Sequence, residues 1–113
     1  MTYISNIYKT IYFIGVKIYI NIVEYLNEKA GTKFKADIRK TRDLIKARLK
    51  EGYLDIDFFT VIDTKVKEWI NNKEMKKYLR PETLFGTKFE GYLNQAGEVK
   101  SEVINLPFIE EDM

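Results

Sequence analysis

Residues 78–94 read YLRPETLFGTKFEGYLN, and this stretch decides how the chain folds. Pro81 restricts the backbone of Arg80 to an extended conformation and presets φ for the first turn of a helix. Glu82 then stands in that first turn, where the N-terminal end of the helix dipole stabilises a negative charge. The stretch therefore predicts a break in the chain at Arg80, followed by a short helix that begins at Pro81.

The same stretch carries a dense apolar surface that the rest of the chain has to cover. Within ten of its residues, that surface is supplied by Leu84, Phe85, Phe89, Tyr92 and Leu93. Gly86 and Gly91 are expected to permit a tight bend and a close approach between two elements. A segment this short is not stable alone, so we expect it to pack against longer helices.

Four ordered sequence blocks, of which residues 78–94 are the last, resemble the conserved C-terminal domain of phage replication-initiation proteins. This is the replisome-organiser group, which is related to the primosomal DnaD proteins. The earlier blocks are EYLNEK at 24–29 with Gly31 and Phe34, TRDLIKARLKEG at 41–52, and VID at 61–63 with Lys65 and Trp69. The resemblance runs from residue 22 to residue 94 and implies a phage or prophage setting.

The resemblance also implies a role in assembling the replication machinery through contacts with proteins. Binding of single-stranded DNA is an alternative that the resemblance alone does not carry over, because Phe58, Ile62 and Trp69 match the DNA-binding motif of the DnaD proteins only loosely. In the resembled family this domain follows a winged-helix domain that binds the phage origin. Residues 1–20 do not resemble such a domain, so origin recognition is not implied for this chain. The resemblance implies no catalytic residue.

The composition favours one domain and excludes several kinds of catalytic site. The 113 residues are 45% apolar and 32% charged, which suits a single domain with its own core. The absence of cysteine excludes disulfides and thiolate metal sites, and the absence of histidine excludes a histidine-dependent triad. No phosphate-binding glycine loop or nucleophile motif is present. We therefore expect no enzymatic activity, no cofactor and no metal site, although carboxylate ligands for Mg²⁺ stay formally open.

The spacing of apolar residues predicts an all-α fold, a compact bundle of four to five helices of which the last are short. Residues 1–20 are expected to form a helical N-terminal extension, residues 21–95 the helical domain, and residues 96–113 an acidic, flexible tail. Polar residues interrupt the apolar run in the extension, so a membrane span is not expected.

Glycine marks the ends of the first two predicted helices. The first helix is expected to end near Lys29 with Gly31 as its C-cap, and the second to span 37–51 and stop at Gly52. The third helix and a short turn are predicted over 55–71 and 74–79. The inner face of the second helix is expected to consist of Ile38, Ile45 and Leu49.

The second predicted helix carries a row of cations. Residues 33–50 hold eight basic residues against two aspartates. Four of the cations follow i, i+3, i+7, i+11 spacing, which places them on one stripe: Arg39, Arg42, Lys46 and Lys50. Such a stripe can track phosphates and release counterions. The alternative interpretation is an ordinary solvated helix face with partial pairing to Asp43.

A second basic patch over residues 73–80 interleaves cations with an aromatic residue, at Lys73, Lys76, Lys77, Tyr78 and Arg80. This interleaving suits single-stranded nucleic acid better than a run of lysines does. If both patches serve one strand, they should merge on one face. Tyr53, Tyr78 and Tyr92 are the aromatic residues expected to be exposed, and Phe58, Trp69, Phe85 and Phe89 are expected in the core.

Three charged positions near the predicted core are interpreted as structural. Arg48 lies on the flank opposite the cation stripe, and we expect it to pair with Asp63 or Glu82. Asp55 and Asp57 stand at a predicted helix start, where they are expected to cap the helix and complement its dipole.

The sequence predicts a non-enzymatic phage adaptor that acts in replication initiation through protein contacts in the cytoplasm of the bacterial host. One alternative is a single-strand nucleic-acid binding module that uses the helix at 37–51. A second alternative is an inhibitor of a host protein, in a defence system such as CRISPR or in replication. The expected partner is a replication or other host protein, or a second copy of the chain. The N-terminal residues expected to make that contact are Ile4, Tyr8, Ile11 and Tyr12.

Overall fold

The computed structural model describes the backbone of residues 2–96 and the side chains of residues 15–96. Within residues 2–96 it contains five α-helices and one short 3₁₀ turn. The helices are α1 (Thr2–Ala30), α2 (Arg39–Lys50), α3 (Asp55–Trp69), α4 (Pro81–Leu84) and α5 (89–96), and the 3₁₀ turn, Lys76–Tyr78, lies between α3 and α4. No strand occurs within residues 2–96, and the prediction of an all-α bundle with short final helices is confirmed.

Asn27 fixes the turn that follows α1. Gly31 adopts φ 71° and donates its N–H to the Asn27 carbonyl at 2.9 Å, so the predicted glycine C-cap is confirmed. The Asn27 side chain then binds both backbone groups of Phe34, donating to its carbonyl and accepting from its N–H at 2.8 Å each. These bonds fold the loop back toward α2. Upstream, α1 continues without a break across residue 20, and no helix in the described part of the chain is long and apolar enough to cross a membrane.

One predicted core residue of α2 lies elsewhere. Ile38 precedes the helix with an extended backbone (φ −68°, ψ 127°), and 48% of it is exposed. Ile38 lies outside the helix, so the helical spacing that predicted it on the inner face does not apply. That prediction is wrong. Ile45 is fully buried, and Leu49 packs against the core. The helix ends at Lys50, and Gly52 provides the predicted stop with φ 102°.

Two aspartates cap α3 as predicted. Asp57 accepts a hydrogen bond from the Leu54 N–H at 2.8 Å, and Asp55 accepts one from the Ile56 N–H at 2.8 Å. The helix ends at Trp69, earlier than predicted. The Asn72 side chain starts the next turn by accepting the N–H of Glu74 at 2.9 Å.

The fold-deciding stretch behaves as its proline predicts. Arg80 is extended (φ −152°, ψ 157°), and α4 begins at Pro81. Gly86 is required at its position, because a Cβ there would lie 2.8 Å from the carbonyl oxygen of Glu82. Gly91 has open space around it, with nothing within 4 Å of an added Cβ, so the close approach expected there is wrong.

The core forms where α1 and the stretch 78–94 meet α3. Phe58 of α3 is fully buried, with its ring centroid 5.2 Å from that of Phe85 and 4.9 Å from that of Phe89. From the other side, α1 inserts Ile22 and Leu26, which are also fully buried. The four aromatic residues predicted in the core are all buried there. The stretch 78–94 is therefore held by α3, and α2 covers it from one flank.

Candidate nucleic-acid interface

The two flanks of α2 face different parts of the molecule. On one flank the Arg42 guanidinium lies 5.6 Å from the ring centroid of Tyr19 on α1. On the other flank Lys40 forms an ion pair with Glu82 of α4, with 2.9 Å between Nζ and Oε2. The helix is thus held between α1 and α4, and the cations of its predicted stripe belong to the α1 side.

A groove of about 250 Å³ runs between α1 and α2. It is lined by Tyr19, Arg39, Arg42, Asp43 and Lys46, and we call it the α1–α2 groove. Arg39 is 94% exposed and only loosely paired with Asp43, at 3.9 Å from Nε to Oδ2. Lys46 is exposed as well. Three of the four predicted stripe residues therefore line one groove together with an aromatic ring, and Lys50 is exposed in the last turn of α2 outside the lining of this groove.

Tyr19 is the site residue that the sequence did not single out. It belongs to the apolar pattern of the first helix, and its ring is half-buried and packs against the core. The amphipathic character of tyrosine could have indicated this residue. A tyrosine at the edge of an apolar face can bury most of its side chain and still expose part of its ring to a cation.

The second predicted patch is built around the Tyr78 ring. Lys77 Nζ lies 5.3 Å and the Arg80 guanidinium 5.4 Å from its centroid, and Lys76 is exposed nearby in the 3₁₀ turn. The tyrosines predicted to be exposed are only half-exposed, since Tyr53, Tyr78 and Tyr92 all pack against the core.

The two basic surfaces do not meet on one flank of α2. Arg80 is followed two residues later by Glu82, which binds Lys40 on the flank opposite to Arg42. A single strand bound in the α1–α2 groove would have to cross α2 to reach Tyr78. The single-strand hypothesis predicted that the two patches merge on one face, and the structure places them apart.

Arg48 has a different set of partners from the two that were predicted. Its Nη1 donates to the Gly86 carbonyl at 2.7 Å, and its Nη2 pairs with Glu51 at 3.0 Å. Asp63 instead accepts the Tyr25 hydroxyl, and Glu82 pairs with Lys40. Both predicted ion pairs are wrong, but the structural role is confirmed, because the Arg48 side chain is only 14% exposed and joins α2 to the bend after α4.

Lys65 forms a cluster that sequence reasoning missed. Its side chain is 5% exposed, and its Nζ lies 2.7 Å from the Glu68 carboxylate and 3.4 Å from the Gln95 amide oxygen. The same ammonium lies 4.2 Å from the ring centroid of Trp69 and 4.6 Å from that of Tyr92. The hydrogen bonds from Lys65 and Gln95 lower the pKa of Glu68 below its usual value. The cluster joins α3 to α5.

Several predicted features lie outside the described residues. The side chains of the proposed contact residues on α1 fall in the undescribed part: Ile4, Tyr8, Ile11 and Tyr12. The predicted acidic tail lies outside from residue 97 onward. For residues 2–14 the structure gives the helical backbone, which places these four residues on one side of α1 by register.

Comparison with known proteins identifies one similarity. A family model described as the conserved phage C-terminus matches residues 22–94. No curated protein matches the chain, and no solved structure does. The matched span coincides with the four sequence blocks, so the resemblance to a conserved phage C-terminal domain is confirmed.

Proposed function

This chain belongs to the conserved phage C-terminus family, and we propose that it is a non-enzymatic module of phage DNA replication that binds single-stranded DNA in the α1–α2 groove. The observation that supports the proposal is the Arg42 guanidinium over the Tyr19 ring, in a groove that Arg39 and Lys46 also line. The link to replication rests on the sequence resemblance described above.

A single strand offers the two chemical groups that the groove can bind. Its phosphates suit the exposed cations Arg39 and Lys46, which can exchange counterions for phosphate. Its unpaired bases suit Tyr19 and Arg42, because a ring or a guanidinium plane accepts any base by stacking, which is worth roughly 1–3 kcal/mol per base. The combination predicts binding with little sequence preference and a strong dependence on salt.

Fluorescence anisotropy with a labelled oligodeoxythymidine, measured at two salt concentrations, tests this function. If the three cations of the groove neutralise phosphates, log K should fall against log salt with a slope of roughly −2 for a single strand. The variant Arg42→Glu/Lys46→Glu should bind at least about tenfold more weakly, since it replaces two attractions by two repulsions.

The matched control is Lys33→Glu/Lys67→Glu. It changes the net charge by the same amount at two exposed lysines that do not line the α1–α2 groove. A Tyr19→Leu variant keeps an apolar side chain at the same position and removes the aromatic ring with its hydroxyl, so it tests the contribution of base stacking. Equal loss of affinity in the two charge-reversed proteins would mean that net charge, rather than the α1–α2 groove, determines binding, and this would contradict the site. No binding by the wild-type chain at low salt would overturn the proposal as a whole.

A second function, contact with a protein partner, is favoured by the length of α1. The helix is continuous from Thr2 to Ala30, and among its described side chains the fully buried ones begin at Ile22. About 30 Å of helix therefore precedes Ile22, at 1.5 Å per residue. This helix would offer an adaptor surface to a replication protein, or to a host protein that the phage inhibits.

Direct binding to a purified host helicase loader distinguishes the two functions. An adaptor should bind the loader in the absence of DNA, and the Arg42→Glu/Lys46→Glu variant should bind it as the wild type does. Loss of loader binding in that variant would assign the α2 flank, rather than α1, to the protein contact.

A further inference from the structure

A second concave surface lies at the fold-deciding stretch itself. The 3₁₀ turn, α4 and the start of α5 enclose a pocket of about 300 Å³. Its cationic and hydroxyl-bearing lining residues are Tyr78, Arg80, Thr83, Thr87, Lys88 and Tyr92. We propose that this pocket binds a phosphate group, either free or as part of a nucleic-acid strand. The proposal does not depend on the function assigned to the α1–α2 groove.

Arg80 is held in position without using up its capacity to bind a ligand. Its Nε lies 3.4 Å from the Thr83 hydroxyl oxygen, and its guanidinium lies over the Tyr78 ring. The side chain remains 42% exposed. A positioned guanidinium presents a planar fork of donors, which is the geometry that binds phosphate oxygens in pairs.

Lys88 supplies a second cation on the same pocket. It is exposed, and within residues 15–96 no carboxylate forms an ion pair with it. Thr87, its neighbour in sequence, is exposed and lines the pocket too. The Thr87 hydroxyl and the two cations, Arg80 and Lys88, can all donate hydrogen bonds to the oxygens of a phosphate.

The aromatic wall of the pocket is fixed by the core. The ring centroids of Tyr78 and Tyr92 lie 6.5 Å and 6.0 Å from that of Trp69, which is 8% exposed. The ammonium of Lys65 lies beneath Tyr92 at 4.6 Å from its centroid. Because these rings are already ordered, a ligand does not have to order them when it binds.

Among the described residues, one carboxylate lines the pocket, and it is already paired. Glu82 Oε2 binds Lys40 Nζ at 2.9 Å, and its Oε1 lies 3.9 Å from Arg80 Nε. Lys40, which does not line the pocket, therefore offsets the negative charge of Glu82. Two cations, Arg80 and Lys88, are left facing the pocket, so its field favours an anion.

Nuclear magnetic resonance of the ¹⁵N-labelled full chain tests this site. The chain is titrated with inorganic phosphate and, separately, with sodium chloride at the same ionic strength. Binding predicts saturable shifts of the backbone amides of Thr83, Thr87 and Lys88 with phosphate and not with chloride. Equal shifts in the two salts would overturn the proposal.

The decisive variant is Lys88→Gln, which removes an exposed cation and so leaves the fold intact. It should weaken phosphate binding at least about fivefold, since one charge-assisted contact is lost. The control is Lys67→Gln, an exposed lysine on α3 outside this pocket, which should bind phosphate as the wild type does. Unchanged affinity in Lys88→Gln would contradict the site.

Oligodeoxythymidines with and without a terminal phosphate identify the source of the phosphate group. Shifts at Thr83, Thr87 and Lys88 with both strands support the pocket as a site for phosphodiesters, and shifts with the phosphorylated strand alone support it as a site for a phosphomonoester. The amides of Tyr19 and Arg42 report separately on the α1–α2 groove. Failure of one site is therefore distinguishable from failure of the other.

Discussion

Lys65 illustrates at the scale of a single residue how a cation can belong to the core. Its ammonium is almost without contact with water, yet it is surrounded by the Glu68 carboxylate and the faces of Trp69 and Tyr92. An ammonium over aromatic faces is attracted by the ring quadrupoles, and the attraction is larger where water is excluded. The cation thereby holds α5 against α3.

Replacing Lys65 by methionine tests this contribution. Methionine fills a similar volume but has no charge, so the ion pair and both ring interactions are lost. We expect Lys65→Met to lower the free energy of unfolding by about 1–2 kcal/mol, less than for a fully buried pair because Glu68 is half-exposed. Urea denaturation measures the change. Lys67→Met on the same helix is exposed and should stay within about 0.5 kcal/mol of the wild type; equal stability of the two variants would contradict the role of Lys65.

The Tyr25 hydroxyl makes the stability of the protein sensitive to alkaline pH. Partial burial and the hydrogen bond to Asp63, with 2.7 Å and 2.8 Å to the two carboxylate oxygens, raise the pKa of Tyr25 from 10.0 to about 12. The folded chain therefore keeps this proton at a pH where the unfolded chain loses it. The resulting stability is fully present below pH 10 and is lost as the pH rises toward 12.

The pH dependence predicts a difference between the wild type and Tyr25→Phe. From pH 8 to pH 11, the wild-type free energy of unfolding should fall more steeply than that of the variant, because only the wild type carries the shifted hydroxyl. Urea denaturation at several pH values measures both slopes. Parallel slopes would mean that Tyr25 titrates alike in the folded and unfolded chains.

At the scale of the helices, the sequence predicted where helices begin and end, because local chemistry determines those positions. It did not predict which side chains meet, because tertiary packing determines that. Gly31, Gly52 and Pro81 set backbone conformations by themselves, so their places in the sequence predicted where helices end and begin. Ile38 was placed wrongly because it lies one residue before the helix whose register was applied to it. Arg48 was placed on the correct flank with the wrong partners, since the neighbours on that flank come from a distant part of the chain.

The same distinction applies to the candidate sites. The spacing of Arg39, Arg42 and Lys46 predicted that they share one side of α2, because helical geometry alone determines that. The ring of Tyr19 that completes the α1–α2 groove comes from another helix. Burial of Lys65 was not predictable from a pattern that assigns lysine to the surface.

The two glycines of the fold-deciding stretch predict opposite effects of one substitution. In Gly86→Ala the new methyl group would meet the Glu82 carbonyl, a backbone atom that cannot move aside alone, and the shift would disturb the bond from Arg48 to Gly86. We expect a loss of about 1–3 kcal/mol in the free energy of unfolding. Gly91 lies within α5 in open space, so Gly91→Ala should raise it by about 0.5–1 kcal/mol.

Thermal and urea denaturation of both glycine variants measure these changes under identical conditions. The comparison is internal, because the substitution and the added volume are the same at the two positions. A Gly86→Ala protein as stable as Gly91→Ala would show that the bend after α4 adjusts freely. The close distance between an added Cβ at residue 86 and the Glu82 carbonyl oxygen would then not affect the free energy of unfolding.

At the scale of the whole molecule, the two proposed binding surfaces belong to different parts of the fold. The α1–α2 groove lies on one flank of α2. On the other flank the ion pair between Lys40 and Glu82 joins α2 to α4, which borders the proposed phosphate pocket. From α1, the described lining of these surfaces includes Tyr19. The first part of α1 is the proposed place of a further contact, because its sequence places four large apolar residues on one side: Ile4, Tyr8, Ile11 and Tyr12.

A helix that presents such a stripe is expected to pair with a second copy of itself, because association removes its apolar surface from water. Light scattering should then give a mass of twice the 13.4 kDa of one chain, falling toward one chain on dilution. Ile4→Lys/Ile11→Lys should give the mass of one chain with an unchanged Trp69 fluorescence spectrum, since the core lies elsewhere on α1. Asn6→Lys/Thr10→Lys adds the same charge on the opposite side of the helix and should leave the dimer intact. A monomeric wild type at high concentration would exclude the second copy as the partner, and the apolar stripe would then have to bind a different protein.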